Sequence, residues 1–278
     1  SPQDGDVLFA LALIAMEQEQ DDVAVDHLAN MIKLGRREGE AHYFLGSIAE
    51  RREDSALAIQ EYNQVKGDYF IAAQGRIAAL MVVNDELTEA RTYLEIARAE
   101  FPDMRIQLVL VEAQLLTDHA ELSSVIDLLG TFLSESPDDA DLLYFRAMTG
   151  EKAGDLDLLE SDLRRIIELD PKNADALNAL GYTLTDQTER HDEALDLITR
   201  ALAIRPNEPA FIDSMGWVQY RLMNYEKALT YLRQALTLMR NDEVAAHLGE
   251  VLWVVGDKVE ANKIWQEGLE REPDSKFL

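Results

Sequence analysis

The chain contains no cysteine, which excludes a disulfide framework and any thiolate metal site. Basic residues are scarce: 26 lysines and arginines stand against 53 aspartates and glutamates, a net charge of −27. Nucleic acids and anionic membrane faces are both recognised through a basic footprint, so neither is expected as a partner. The acidic surplus fits a basic partner, or solubility alone. Long apolar runs are also missing. The longest, Val7–Met16, has ten residues; it is too short to span a bilayer and lacks the basic flank of a secretory signal. Because the chain opens on Ser1, a native N-terminus with any targeting signal or lipid anchor is expected to precede it. No glycine-rich phosphate loop, G-x-S-x-G elbow or H-E-x-x-H pair is present. The five histidines, at 27, 42, 119, 191 and 247, share no spacing, and paired carboxylates carry no information in so acidic a chain. No catalytic residue, metal site or cofactor is therefore assigned, and a non-enzymatic protein is expected.

Proline is sparse, seven in 278 residues, but its placement is regular. It closes a pattern that recurs every 32 to 35 positions. A small residue leads each copy: Ala12, Gly46, Ala78, Ala113, Ala147, Gly181, Gly216 and Gly249. Twelve or thirteen residues on come Ala24, Ala58, Ala90, Val125, Leu159, Ala194, Ala228 and Ala261. Seven further on come Met31, Val65, Ala97, Phe132, Ile166, Ala201, Ala235 and Gly268. Pro102, Pro137, Pro171, Pro206 and Pro273 then follow by five residues. A small residue lets two helices approach closely. A spacing of seven marks two turns of one helix face, and proline ends the helix. Each copy reads as a helix–turn–helix that must stack on its neighbours to bury its apolar face.

These landmarks resemble the tetratricopeptide repeat, most closely in Ala176–Pro206 and Ile212–Arg240. The resemblance implies an all-α solenoid, a right-handed superhelix of about eight repeats near 5–38, 39–70, 71–105, 106–139, 140–173, 174–208, 209–241 and 242–275. One array is expected, a fragment of a longer one, with short turns at Asn84–Leu87 and Gly154–Leu156 and the longest at Thr185–Asp192. The second repeat is expected to end at Phe70 without a proline. The ends should be apolar, since Val7–Ile14 and Val251–Val255 carry little polarity, so packing on missing repeats or self-association is expected.

In stacked helix pairs the first helix lines a groove. Its inward positions fall six and three residues before the small landmark and one after it. Those positions combine acids with aromatics, a mixture that suits protein recognition: rigid rings bury area and carboxylates select basic segments. The candidate partner-binding residues are Tyr43, Tyr144, Tyr182 and Trp217 as anchors, with Asp141, Asp175, Asp213 and Glu250 as charge partners. The lysines and arginines of the chaperone-carboxylate clamp are absent: Phe9/Leu13, Tyr43/Ser47 and Tyr144/Met148 stand in their places.

A narrower resemblance lies in the C-terminal third. The segments Leu177–Asp186, Pro209–Tyr220 and Ala245–Trp253 are similar to those of proteobacterial outer-membrane tetratricopeptide proteins, among them pseudomonad lipoproteins that partner a carboxyl-terminal processing protease. That resemblance implies a lipid-anchored periplasmic scaffold that binds the protease and its peptidoglycan-hydrolase substrates and promotes proteolysis. A scaffold for envelope assembly or exopolysaccharide secretion is the alternative.

Overall fold

The structure, a computed structural model, describes residues 4–82 and 87–278. Those residues form sixteen α-helices and no strand. In chain order they pair as α1 (Gly5–Glu17) with α2 (Asp21–Lys33), α3 (Glu38–Arg51) with α4 (Ser55–Tyr62), α5 (Phe70–Met81) with α6 (Thr88–Glu100), and α7 (Arg105–Asp118) with α8 (Leu122–Glu135). Then come α9 (Ala140–Ala153) with α10 (Leu156–Leu169), α11 (Ala174–Gln187) with α12 (His191–Ile204), α13 (Pro209–Arg221) with α14 (Tyr225–Leu238), and α15 (Asp242–Val254) with α16 (Lys258–Arg271). The pairs divide between two compact units, Ser1–Ser134 and Glu135–Leu278. No helix among the described residues is long and apolar enough to cross a membrane.

The landmarks are the contact points of this arrangement. Every second landmark, from Ala24 to Ala261, is sealed from solvent at 0–1 % exposure. The leading glycines sit where a side chain has no room: a Cβ on Gly181 would meet Ile198 Cγ1 at 2.6 Å, and one on Gly249 would meet the Trp265 indole at 2.0 Å. In unit 1 the core runs through Leu8, Leu28, Met31 and Ile48, then Tyr62 and Ile77, then Leu94 and Leu108. In unit 2 it runs through Leu163, Leu180, Ile198, Ile212, Leu232 and Leu248.

Acidic and amide side chains start the helices. Asp54, Asp139, Asp155, Asn173, Asn241 and Asp257 each accept a hydrogen bond from a backbone N–H of their own first turn. Each such cap contributes on the order of 1 kcal/mol, so part of the acidic surplus serves folding. Arginines take up more of it by bridging successive repeats, as in Arg52–Asp22 and Arg190–Glu160, 30 residues apart at 2.7 and 2.8 Å. Arg51–Asp21 and Arg76–Glu50 do the same, and Arg205–Asp175 ties the end of α12 to α11 within one repeat.

The first helices of six repeats end alike. The chain turns left-handed at Glu19, Glu53, Ala120, Gly154, Met223 and Gly256, each seven residues after its small landmark. The next N–H then reaches back to close the helix, as Asp155 N does to Gly150 O at 2.8 Å and Asn224 N to Gln219 O at 2.8 Å. This is a Schellman closure, which favours glycine. Methionine at 223 sits there at φ +62° and leaves its side chain 75 % exposed. Met223→Gly is expected to stabilise unit 2 by about 1 kcal/mol, read as a raised urea midpoint, since the left-handed conformation costs an L-residue roughly 1–2 kcal/mol. An unchanged midpoint would mean that the turn carries no strain.

Three local expectations change. Phe70 does not close the second repeat but opens α5, because α4 stops at Tyr62 and a 3₁₀ turn, Gly67–Tyr69, intervenes. Val65 is therefore buried outside any helix, and the Lys66 backbone crosses so close to Gly39 that a Cβ there would lie 2.2 Å from the Lys66 carbonyl oxygen. The long turn expected over Thr185–Asp192 shrinks to Thr188–Arg190, since α11 runs on to Gln187. Residues 84–86 of the turn expected at Asn84–Leu87 lie outside the described residues. At the chain ends, α1 leaves Val7, Leu11, Leu13 and Ile14 more than a third exposed, and Trp253, Val254 and Val255 at the other end are exposed to a similar degree, while α16 adds Val259 beside polar Asn262, Lys263 and Glu267.

Candidate functional site

Unit 2 holds a cleft of about 240 Å³ across its four first helices, α9, α11, α13 and α15. Its lining includes Tyr144 and Met148 of α9, Asn178 and Tyr182 of α11, Asp213 of α13 and Glu243 of α15. Each of these six occupies one of the inward phases: six or three residues before its small landmark, or one after it. Repetition at the 34-residue period thus brings side chains far apart in sequence into one row. A larger hollow, about 910 Å³, lies between α15, α16 and the terminal Phe277 and Leu278, away from this row.

The cleft is tied across its width. The Tyr182 hydroxyl donates to Glu243 Oε1 at 2.8 Å, from α11 to α15 and so over the intervening α13. Burial first, then the charge of Glu243, push the Tyr182 hydroxyl far above the usual tyrosine range, so it stays a neutral donor. Tyr144 is raised for the same first reason, burial, with Asp175 adding to it. Thr183 donates to Glu151 Oε1 at 3.3 Å on the neighbouring wall. Asn178 Oδ1 is buried and has no hydrogen-bond partner among the described residues.

Behind the cleft stands a second row. His247 Nδ1 lies 3.0 Å from Asp213 Oδ2, and its ring stacks on Trp217 with centroids 4.2 Å apart and planes at 17°. Trp217 in turn donates its indole N–H to Asp186 Oδ1 at 3.3 Å. The sequence permits this because α13 is buried continuously from Phe211 to Gln219, with Gly216 admitting α14 on its other side. Burial alone would lower the pKa of His247. The hydrogen bond that His247 donates to Asp213, and the charges of Asp213, Glu243 and Asp186, outweigh it and raise the pKa above the ordinary imidazole value.

That sign fixes a pH dependence. A histidine whose folded pKa is raised contributes stability that is fully present below the unfolded value of about 6.5 and is lost as pH rises through the folded value. The urea midpoint of unit 2 is therefore expected to fall between pH 6 and pH 8.5 in the wild type and to fall less in His247→Gln. Parallel curves would place the charge elsewhere.

The candidate residues separate into groups. Tyr144, Tyr182 and Asp213 line the cleft together. Trp217, expected as an exposed anchor, is only 6 % exposed and forms the wall behind it, because His247 stacks over the ring. Glu250 accepts from the Tyr220 hydroxyl at 2.8 Å and faces the larger hollow. Asp141 and Asp175 are exposed in the first turns of α9 and α11, where they complement the helix dipole, and Asp175 is held by Arg205. Tyr43 belongs to unit 1, packed among Phe44, Tyr62 and Tyr69 with centroids 4.7–5.6 Å apart. His247 was passed over because a lone helical histidine says little. The available signal was its offset of 34 residues from Asp213, one repeat, which sets the two side by side.

Residues 9–69 and 160–209 match the tetratricopeptide repeat model, and with the paired helices and buried landmarks they make this chain a tetratricopeptide repeat protein. It is 45 % identical over 211 residues to a TPR repeat-containing protein of Pseudomonas aeruginosa (PA4667). That alignment covers 76 % of this chain but 36 % of the relative, so the chain spans about a third of the length of that protein. Among solved structures, a tetratricopeptide repeat protein from Parabacteroides merdae superposes with a TM-score of 0.61 at 14 % identity, covering 85 % of this chain and 94 % of the other. A thermophilic TPR protein from Thermus thermophilus gives 0.54 at 24 % identity, covering 61 % and 92 %. These two likenesses are of fold.

Proposed function

We propose that this chain is the repeat region of a non-enzymatic periplasmic adaptor, lipid-anchored at the outer membrane in its full form. It holds a carboxyl-terminal processing protease together with its peptidoglycan-hydrolase substrates and so promotes their proteolysis. One observation carries the reading. The segments that resemble the envelope proteins, Pro209–Tyr220 and Ala245–Trp253, supply Asp213 to the cleft, and Trp217 and His247 to the wall behind it. The 45 % identity to a Pseudomonas repeat protein supports the same direction. Mechanistically, an array that grips two proteins turns their encounter into an intramolecular event, and effective concentration replaces intrinsic affinity. Differential binding to the protease's active arrangement would add activation.

The test is degradation of a purified cell-wall endopeptidase by the protease, with and without this protein. Acceleration is expected, and it should be lost in Tyr144→Ala/Tyr182→Ala with helical content intact. No acceleration by the unmodified protein overturns the adaptor reading and turns attention to the envelope-assembly alternative. That alternative is then checked by capture of synthase or export subunits from envelope extracts.

A further inference from the structure

The cleft has a chemical bias. Glu151, Asp213 and Glu243 are among its lining residues, and among the described residues no lysine or arginine lines it. Asn178 Oδ1 adds a buried acceptor left unbonded among the described residues. A ligand that matches this lining brings hydrogen-bond donors and positive charge. A row that runs across four first helices suits an extended segment, whose side chains alternate along it.

Directly behind Asp213, His247 is buried at 7 % exposure and stacked on Trp217. The groups acting on it are known from each side. Asp213 faces it from α13, Asp186 and Tyr182 lie toward it on α11, and Glu243 stands one turn earlier on α15. On the far side of α15, α14 and α16 present apolar residues, among them Leu232, Leu236, Ala261 and Trp265. When charged, His247 neutralises the carboxylate of Asp213. When neutral, it leaves that carboxylate's charge to the cleft. Arginine and lysine side chains do not titrate over the same range, so the change falls on the protein side. His191, the other histidine of unit 2, begins α12 and does not line the cleft.

Resting on the reading of the cleft as a polypeptide site, we propose that it takes an extended segment bearing arginine or lysine, and that neutralisation of His247 behind Asp213 tightens the grip. Acidic conditions then release such a segment and neutral to alkaline conditions hold it.

The probes are two nine-residue peptides, acetylated and amidated. One alternates arginine with alanine, and the other has glutamine in place of arginine. Binding is read by fluorescence anisotropy at pH 6.0, 7.0 and 8.5 at constant ionic strength, and the site by NMR shifts of the Trp217 indole and His247 ring. One charge removed several ångströms from a cation in a partly screened site gives about a three- to ten-fold change in affinity. The arginine peptide is therefore expected to tighten about that much from pH 6.0 to 8.5, with its midpoint coinciding with the titration of the His247 ring. His247→Gln should bind tightly at every pH. Asp213→Asn should move the ring's midpoint to lower pH, which keeps the test open if His247→Gln folds poorly. Arginine-peptide binding that shifts the Trp217 resonance but ignores pH overturns the gating and leaves the cleft. Equal affinity for both peptides overturns the charge preference. If neither peptide moves the Trp217 or His247 resonance, the cleft itself is not the binding site, and the reading on which the inference rests fails with it.

Discussion

Gly216→Leu is expected to cost unit 2 about 3 kcal/mol, the upper part of the usual range for overpacking. A Cβ at Gly216 would already lie 2.6 Å from Leu232 Cγ and 3.2 Å from Leu232 N. Leu232 is itself fully buried, with Leu248 and Val251 packed in the same cluster, so it has no direction in which to yield. The backbone of α13 cannot retreat either, being buried along nine consecutive residues. Relief requires α13 and α14 to separate, and that separation also disturbs Asp213 and Trp217. Urea denaturation followed by circular dichroism reads the effect. Gly75→Ala is the control with the opposite sign. Its new Cβ would find only Val111 Cγ1 at 3.6 Å, an ordinary contact, within helix α5. Removing a helical glycine there should add about 0.5–1 kcal/mol. If both variants leave the midpoint where it was, the small landmarks are not the tight contacts described.

Arg146→Met is expected to cost about 3 kcal/mol, and Arg146→Met/Asp162→Leu to recover most of it. The guanidinium of Arg146 forms a two-pronged bond to Asp162, 2.7 Å for each prong, joining α9 to α10. Asp162 is 2 % exposed and lies between Leu159 and Ile166 on the buried face of α10. Removing the arginine strands a carboxylate where water does not reach, and breaking such a pair typically costs roughly 3–5 kcal/mol. The low end applies because Arg146 keeps some solvent contact. Replacing both partners by apolar groups removes the stranded charge, so a double-mutant cycle should give a large coupling of favourable sign. Additive losses would show that the bond contributes nothing of its own. Glu112, held by Arg91 and Arg98 at 2.8 and 2.5 Å, is the corresponding buried acid of unit 1.

The repeat was legible because its landmarks are contact points, and a contact that recurs with the helix pair must recur in sequence. The cleft positions followed from the same period: Tyr144, Tyr182 and Asp213 were named from their phase alone. Trp217 has the phase of Tyr182 but not its exposure, since the following repeat supplies His247 to cover it, and no phase argument weighs what the neighbour brings. The closing turns escaped notice for a different reason. Four of the six left-handed positions, Glu19, Glu53, Ala120 and Met223, are not glycine, so the usual signal is missing although the geometry recurs. Phe70 misled because α4 stops at Tyr62 and the backbone then passes close to Gly39 at Lys66, an approach that the small-residue pattern does not encode. The buried pair Arg146–Asp162 stands 16 residues apart, and in a chain with 53 acids such a spacing does not single it out.

The bond from Tyr182 to Glu243 has a mechanical meaning. Repeat arrays behave like springs because each unit touches only the next, so bending is shared among many soft joints. A link from α11 to α15 that skips α13 is a chord drawn across an arc. It fixes the curvature of that stretch, as a tie rod fixes an arch. Flattening the arc must break the chord before it loosens any helix pair. Pulling on unit 2 should therefore meet a stiff response that gives way abruptly, and Tyr182→Phe should convert it into a gradual one while leaving the helices themselves in place.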